Sequence, residues 1–243
     1  MEEKVCKICG KKWIKNECIP NFLPQYIKEK IEYIPQCNCS NSAFKKSLEE
    51  EAKKNDMMNL KAYSNKFKNV SIVDEKFRNS LFEKAQMNDK HMIIAKNYCD
   101  NFLKNKVKKG LLFSGTVGVG KTYAASCIAN FLMQKNKKVL VMNLALYLMT
   151  IKKDWGKFEN DYLKYVEDAE LVIIDDFGIE NITSFVNEKL FLIIDTRYRS
   201  LKPLIITSNL TLEEIYETFG ARVGDRISEM CIEIVCVGES KRK

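Results

Sequence analysis

One short segment of this 243-residue chain has the spacing of a phosphate-binding loop. Residues 115–122 read GTVGVGKT, between the apolar stretch LLFS and the helical stretch YAASCIANFLMQK. Glycines let successive backbone N–H groups point at an anion, and the helix that follows adds its partly positive N-terminus. Lys121 is predicted to reach the β- and γ-phosphates, and the Thr122 hydroxyl to ligate Mg²⁺. The residues expected to bind the nucleotide are Gly115, Thr116, Val117, Gly118, Val119, Gly120, Lys121 and Thr122.

Two acidic residues end the apolar stretch LVIIDDF at residues 171–177. At the carboxyl end of a parallel strand, carboxylates face the ligand crevice. Asp175 is predicted to hold Mg²⁺ through water, and Asp176 to orient or deprotonate the attacking water. The next apolar stretch, PLIITSN, ends in a polar trio that suits either a γ-phosphate contact or a helix cap.

Five of the nine cysteines lie in the first 39 residues. Cys6 and Cys9 form one chelating pair, and Cys37 and Cys39 form a second. Four thiolates around a tetrahedral Zn²⁺ make a structural site, which stabilises a segment too short to bury its own core. Cys18 is an alternative member of the second pair. A redox CxxC would leave the second pair unexplained.

The elements that must position these residues follow from the hydrophobic pattern after Gly110. The expected strands are residues 111–114, 139–143, 171–175, 204–207 and 231–237, and the expected helices are 121–134, 144–153, 161–166, 184–199 and 212–219. Strands that are apolar throughout and alternate with helices predict an α/β fold with a parallel sheet covered on both faces.

Three segments are predicted along the chain. Residues 1–41 form a zinc-binding N-terminal domain, residues 42–69 a helical linker, and residues 70–243 an ATPase domain. The linker is expected to be helical because residues 36–109 contain neither glycine nor proline. The single histidine, His91, falls in this helical region and is expected at the surface.

Charge is concentrated in the first part of the chain. Residues 1–110 hold 23 basic and 14 acidic residues, whereas residues 111–243 hold 17 and 18. This excess of basic residues indicates contact with a polyanion such as nucleic acid. The alternative interpretation is a lysine-rich helix surface that faces solvent. The sequence has no apolar run of the ~18–20 residues that cross a bilayer, and its first residues lack a secretory apolar segment. A cytoplasmic protein with no membrane partner is therefore expected.

The segments GTVGVGKT, LVIIDDF, IITSN and GARVGDRIS, in this order, resemble the AAA+ ATPases. The match is nearest to bacterial replicative helicase loaders of the DnaC and DnaI type, whose relative is the IstB transposition helper. The resemblance implies that Asn209 is the sensor-1 residue. It also implies that Arg226 is an arginine finger in a neighbouring subunit's ATP site, with Arg222 in support, so that the protein is a homo-oligomer. A C-terminal helical lid is expected to be absent.

By this resemblance the protein is an ATPase that loads the hexameric replicative helicase onto single-stranded DNA. Turnover is expected to be slow or partner-dependent because many AAA+ proteins have Glu where Asp176 stands. Contacts to DNA are expected from Lys152, Lys153, Trp155 and Lys157, although Trp155 equally suits a packing role. The alternatives are an IstB-like ATPase that regulates a transposase on duplex DNA, and a zinc-dependent adaptor whose ATP site is a switch.

Overall fold

The computed structural model describes residues 4–21, 23–71, 74–85, 87–153, 157–178 and 183–241. The chain divides into two compact units, Met1–Asn59 and Leu60–Lys243. A 32-residue helix, α2 (Cys39–Val70), contributes residues to both units. The domain boundaries predicted at residues 41/42 and 69/70 stay predictions.

The first unit contains short elements ahead of α2. Strands β1 (Trp13–Lys15) and β2 (Tyr33–Pro35) pair antiparallel, and helix α1 (Gln25–Ile31) lies between them in sequence. Three-residue strands and one seven-residue helix bury little apolar area, so a unit of this kind needs a further source of stability.

The second unit is built on five parallel strands. These are β3 (Gly110–Gly115), β4 (Val139–Asn143), β5 (Leu171–Phe177), β6 (Leu204–Ser208) and β7 (Cys231–Cys236), and their order across the sheet is β4-β5-β6-β3-β7. The predicted parallel α/β sheet is confirmed. All five carboxyl ends lie at one edge, so the polar residues that follow β3, β5 and β6 share that edge.

Helices connect and cover the strands. They are α3 (Glu75–Arg78), α4 (Lys90–Leu103), α5 (Lys121–Gln134), α6 (Leu144–Lys153), α7 (Lys157–Asp168), α8 (Ser184–Arg199), α9 (Leu212–Phe219) and α10 (Ala221–Met230), with a 3₁₀ turn at Phe82–Lys84. Helix α10 was not among the expected helices. The described residues after β7, 237–241, are not helical, and no described helix has the length and apolarity to cross a membrane.

Each face of the sheet has its own hydrophobic core. Val172 and Ile174 of β5 pack into a core with α6–α10, whereas Leu171 and Ile173 pack into the opposite core with α4 and α5. Successive side chains of a strand point to opposite faces, and here both faces are covered. This is why the first four positions of β5 are all apolar, rather than alternate ones only.

One fully buried cation, Arg197 on α8, links elements on one side of the sheet. Its guanidinium donates hydrogen bonds to the backbone oxygens of Val166 (2.7 Å), Ala169 (2.9 Å) and Pro203 (2.8 Å). Burial lowers the pKa of Arg197 to about 10, so it is still charged at neutral pH. These bonds satisfy three carbonyls where α7 ends and β6 begins.

Arg197→Met tests this role because methionine fills the space of the aliphatic stem and leaves the three carbonyls unpaired. We expect the free energy of unfolding to fall by about 3 kcal/mol or more, measured by urea denaturation. Arg199→Met is the matched control, since that side chain is 70% exposed, and should change stability by less than about 0.5 kcal/mol. Equal effects of the two substitutions would contradict the role.

Candidate nucleotide and metal sites

The phosphate loop, residues 115–122, joins the end of β3 to the start of α5. Gly115, Gly118 and Gly120 have φ values of 109°, 85° and 104°, a region that favours glycine. A Cβ atom at Gly115 would lie 2.4 Å from the carbonyl oxygen of Cys236, so the loop also needs glycine for close packing. The result is a backbone turn that ends at a helix N-terminus, a geometry suited to an anion.

Lys121 and Asn209 come together at the mouth of this loop. The Lys121 side chain is buried, and its ammonium donates to the oxygens of Gly115 (2.6 Å), Thr116 (2.7 Å) and Asn209 (Oδ1, 2.9 Å). Asn209 directly follows β6, whose parallel pairing with β3 brings it beside the loop. The ammonium is thus held where the phosphates of a nucleotide would lie.

The two acidic residues of β5 lie at the same edge of the sheet. The Thr207 hydroxyl donates to Asp175 Oδ1 at 2.6 Å and accepts a hydrogen bond from the Asp176 backbone N–H at 3.0 Å. Asp176 has φ 58°, an uncommon value for a residue with a side chain, at an irregularity in the β5–β6 pairing. Its carboxylate accepts from Asn143 Nδ2 at 3.3 Å. Such strain is typical of functional sites.

Asp175 is buried, and this raises its pKa to about 6 despite hydrogen bonds from Thr207 and Thr122 that lower it. The Asp176 charge raises it further. A buried carboxylate next to a threonine hydroxyl fits a hard cation with oxygen ligands such as Mg²⁺, because the cation would compensate the desolvated charge. Asp175 and Thr122 are therefore the side chains that could hold magnesium.

A cavity of about 700 Å³ connects these groups and extends away from the carboxylates. Its lining includes residues that were not predicted from the sequence to belong to the site, among them Asp89, His91 and Lys241. The volume is that of a small-molecule site. Nothing in the local sequence marks these three, since they come from the start of α4 and from the chain end.

The segment after β7 lies against the phosphate loop. The Lys241 backbone N–H donates to the Gly118 oxygen at 2.9 Å, and its ammonium pairs with Asp89. His91 Nε2 is buried and has no hydrogen-bond partner among the described residues, and burial lowers the pKa of His91 below its usual value. His91 therefore is not simply a surface residue, as the sequence analysis expected, but a neutral imidazole in the cavity wall.

The two arginines of α10 do not line this cavity. Arg222 is exposed, whereas Arg226 is half-buried and lies 2.8 Å from the carboxylate of Asp195 on α8. Of the residues expected to contact DNA, Lys152 is exposed and Trp155 lies outside the described residues. Only the backbone of Lys153 and Lys157 is described.

Four cysteine sulfurs in the first unit form a compact cluster. The Sγ atoms of Cys6, Cys9, Cys37 and Cys39 all lie within 4.8 Å of one another. Sulfurs bound to one tetrahedral zinc at 2.3 Å lie about 3.8 Å apart, so a small contraction would complete the site. Cys18 is exposed and outside this cluster.

The chemistry of these thiols also fits a cation. The Ile8 backbone N–H donates to Cys6 Sγ at 3.4 Å, and hydrogen bonds from backbone N–H groups lower the pKa of Cys6 to about 7. Hydrogen bonding with Cys9 and Cys37 raises the pKa of Cys39 to about 12. Four thiolates can therefore coexist at neutral pH only around a positive charge, which a zinc ion would supply.

Comparison with known proteins places the fold in a family. The profile described as "IstB-like ATP binding protein" matches residues 35–243. The replicative helicase loader DnaC of Escherichia coli K12 is 29% identical over 136 residues, which are 55% of this chain and 55% of DnaC. The chain thus spans about half the length of that relative.

Two further similarities bear on the whole chain and on the fold. The replicative helicase loader DnaI of Bacillus subtilis 168 is 21% identical over 263 residues, covering 99% of this chain and 79% of DnaI. The crystal structure of the DnaC helicase loader superposes with a TM-score of 0.58 at 26% identity, over 68% of this chain and 100% of that one. The sheet and its helices are those of these AAA+ proteins.

The burial of Asp175 predicts a pH-dependent cost to stability. Its pKa is about 3.9 in the unfolded chain and about 6 in the folded one, so the unfolded state releases its proton first and stability falls as pH rises between these values. Asp175→Asn removes this cost. Without nucleotide or Mg²⁺, we expect the free energy of unfolding of the variant to exceed that of the unmodified chain by about 1–3 kcal/mol at pH 7.5. The difference should be smaller at pH 4.5.

Urea denaturation at the two pH values measures the difference. Asp100→Asn, which changes an exposed carboxylate on α4, is the control and should behave like the unmodified chain. A gain from Asp175→Asn that is the same at both pH values would contradict the assigned cause.

The cysteine cluster predicts one tightly bound zinc per chain. Cys37→Ser should lose the metal and the far-ultraviolet signal of the first unit, because three sulfurs hold zinc less tightly than four. Cys18→Ser should keep one zinc, as measured by elemental analysis after dialysis. Equal loss in both variants would make Cys18 a ligand, and a metal-free unmodified protein would rule out the site.

Proposed function

This chain belongs to the family of IstB-like ATP binding proteins, and from that premise we propose that it is an ATP-dependent loader of the replicative DNA helicase. The observation that carries the proposal is the extent of the similarity to DnaI. It covers 99% of this chain, including the cysteine unit, whereas the IstB-like profile begins at residue 35. A transposition helper would account for the second unit and leave Cys6 and Cys9 without a purpose.

In the proposed ATP site, the phosphates lie in the loop at residues 115–122. The loop N–H groups and Lys121 hold them, and Asn209 fixes the ammonium of Lys121 toward the γ-phosphate. Thr122 and Asp175 would hold Mg²⁺, which when bound neutralises phosphate charge. The nucleoside would extend into the part of the cavity lined by His91 and Lys241.

Asp176 is the group proposed to activate water. Its carboxylate, oriented by Asn143, accepts a proton from the water whose oxygen attacks the γ-phosphorus. The bond between the γ-phosphorus and the β–γ bridging oxygen breaks, giving ADP and inorganic phosphate. Aspartate is one methylene shorter than glutamate, so its carboxylate reaches less far and intrinsic turnover should be slow.

Completion of the site requires a second copy of this chain. We place Arg226 of one copy next to the phosphates bound by its neighbour, with Arg222 in support. An arginine supplied in this way contributes about 10³–10⁵ to turnover in other phosphoryl-transfer sites. Hydrolysis would then depend on assembly, and the ATPase would time the release of the helicase.

The proposed contacts with DNA and with the helicase follow from the charge of the chain and from the first unit. The basic residues of the first 110 positions and Lys152 on α6 would contact the phosphates of single-stranded DNA. The zinc-bound first unit would contact the hexameric helicase, since it carries exposed apolar side chains such as Ile8 and Tyr26.

Native mass spectrometry of this protein with the replicative helicase of the same organism tests the proposal. We expect a complex with the hexamer that requires zinc and is lost in Cys37→Ser. Lys121→Ala should keep the complex but abolish ATP-driven transfer of the helicase to single-stranded DNA, because the variant cannot hold the nucleotide phosphates.

Other outcomes point to other functions. If no complex forms under any condition, the IstB-like alternative is favoured, and filaments with a transposase on duplex DNA become the next measurement. If Lys121→Ala loads the helicase normally, the protein is a zinc-dependent adaptor whose nucleotide does not drive loading.

A further inference from the structure

The ion pair between Arg226 and Asp195 joins two helices at the surface of the second unit. Arg226 Nε donates to Asp195 Oδ1 at 3.0 Å, and one terminal nitrogen lies 2.8 Å from the same oxygen. The other terminal nitrogen donates to the Arg222 carbonyl at 3.0 Å. The guanidinium is therefore held from two sides, by α8 and by its own helix α10.

Aromatic rings restrict the same guanidinium further. Its central carbon lies 4.6 Å from the ring centre of Phe191 and 5.3 Å from that of Tyr198, both on α8. Phe191, Asp195 and Tyr198 are spaced four and three residues apart, so they share one face of the helix. An arginine between rings and a carboxylate has little freedom to change rotamer.

The contacts leave a particular part of the guanidinium available. Arginine has five N–H bonds, and the contacts to Asp195 and to the Arg222 carbonyl use three of them. Among the described residues, one N–H on each terminal nitrogen therefore remains. A donor on each terminal nitrogen allows the guanidinium to contact two oxygens of a phosphate, as arginine commonly does. The side chain is 25% exposed, so part of it can be reached from outside the chain.

We propose that Asp195 is a positioning residue, which orients Arg226 so that its two remaining N–H groups meet the nucleotide phosphates bound by a neighbouring copy of the chain. This inference rests on the proposed function, since it requires ATP at an interface between copies. Without Asp195, the guanidinium would sample several orientations, and a misplacement of about 1 Å costs roughly 10²-fold in rate.

A purely structural ion pair predicts something different. Partly exposed pairs contribute little to stability, and their loss does not act on another subunit. The discriminating measurement is therefore turnover in mixtures of variants, where one chain supplies the phosphate loop and the other supplies the arginine.

The first experiment measures ATP hydrolysis with single-stranded DNA for Arg226→Ala and Asp195→Ala. We expect kcat to fall about 10³-fold for Arg226→Ala and about 10- to 100-fold for Asp195→Ala. The Kd for a fluorescent ATP analogue, measured with the chain dilute enough to be monomeric, should stay unchanged in both, because each keeps its own phosphate loop. Asp195→Asn keeps one hydrogen-bond acceptor but no charge, so it should lower kcat less than Asp195→Ala does. It also serves as the second variant if Asp195→Ala fails to fold.

The second experiment mixes each variant with Lys121→Ala, which lacks a working phosphate loop but has Asp195 and Arg226. Activity should recover in mixtures with Asp195→Ala and with Arg226→Ala, because Lys121→Ala presents a correctly held arginine to its neighbour. A mixture of Asp195→Ala with Arg226→Ala should not recover. Arg199→Ala, which removes the other ion pair of Asp195 at 3.6 Å, is the matched control and should hydrolyse ATP normally.

Assembly gives a readout that does not need turnover. ATP-dependent association, measured by sedimentation velocity, should weaken in Asp195→Ala and Arg226→Ala and stay normal in Arg199→Ala. If Arg226→Ala loses activity or association and Asp195→Ala does not, the positioning role is overturned and the arginine finger stands. The positioning role is also overturned if Asp195→Ala loses activity that the mixture with Lys121→Ala does not recover. It is overturned as well if Asp195→Ala hydrolyses ATP faster than the unmodified chain. If Arg226→Ala behaves normally, the arginine finger of the proposed function fails and this inference fails with it.

Discussion

Close backbone contact at both ends of β3 is the constraint on which the nucleotide site depends. A Cβ atom at Gly110 would lie 1.6 Å from the Leu204 carbonyl oxygen, and one at Gly115 would lie 2.4 Å from that of Cys236. Glycine at both ends lets β3 fit closely between its neighbours β6 and β7. The phosphate loop starts at the second glycine, so these contacts determine where the loop begins relative to β6 and β7.

Two groups that form the site lower the stability of the folded chain. Asp175 is ionised above a pKa of about 6 although it is buried, and Asp176 holds a left-handed backbone conformation. Thr207 contacts both, as donor to the carboxylate and as acceptor from the backbone, and therefore links the two unfavourable features. The apolar cores on both faces of the sheet offset these costs, which explains how a buried carboxylate can be kept ready for a cation.

Most strands and helices could be predicted because their signals are local. Helices at 121–134, 144–153, 184–199 and 212–219 match the structure in both bounds, since an apolar period and a strong break mark each. Helix α10 was missed because glycine and charged residues interrupt its apolar pattern. The cavity brings His91 beside the loop, and the contacts of Lys241 with Asp89 and of Arg226 with Asp195 join positions far apart in sequence. Only the packed sheet brings them together, so no local pattern indicates them.

The charges around the cavity support the proposed role of a second copy. Within the described residues, the cations in the cavity wall are lysines, namely Lys76, Lys84, Lys121 and Lys241. An ammonium is a point charge, whereas a guanidinium binds two phosphate oxygens in a fixed geometry and so suits the charge that spreads over a transferring phosphoryl group. The chain has such a group on α10, held rigidly but away from its own cavity. In the proposed assembly, each copy can bind ATP alone and gains efficient hydrolysis only from its neighbour, which couples turnover to the assembled state.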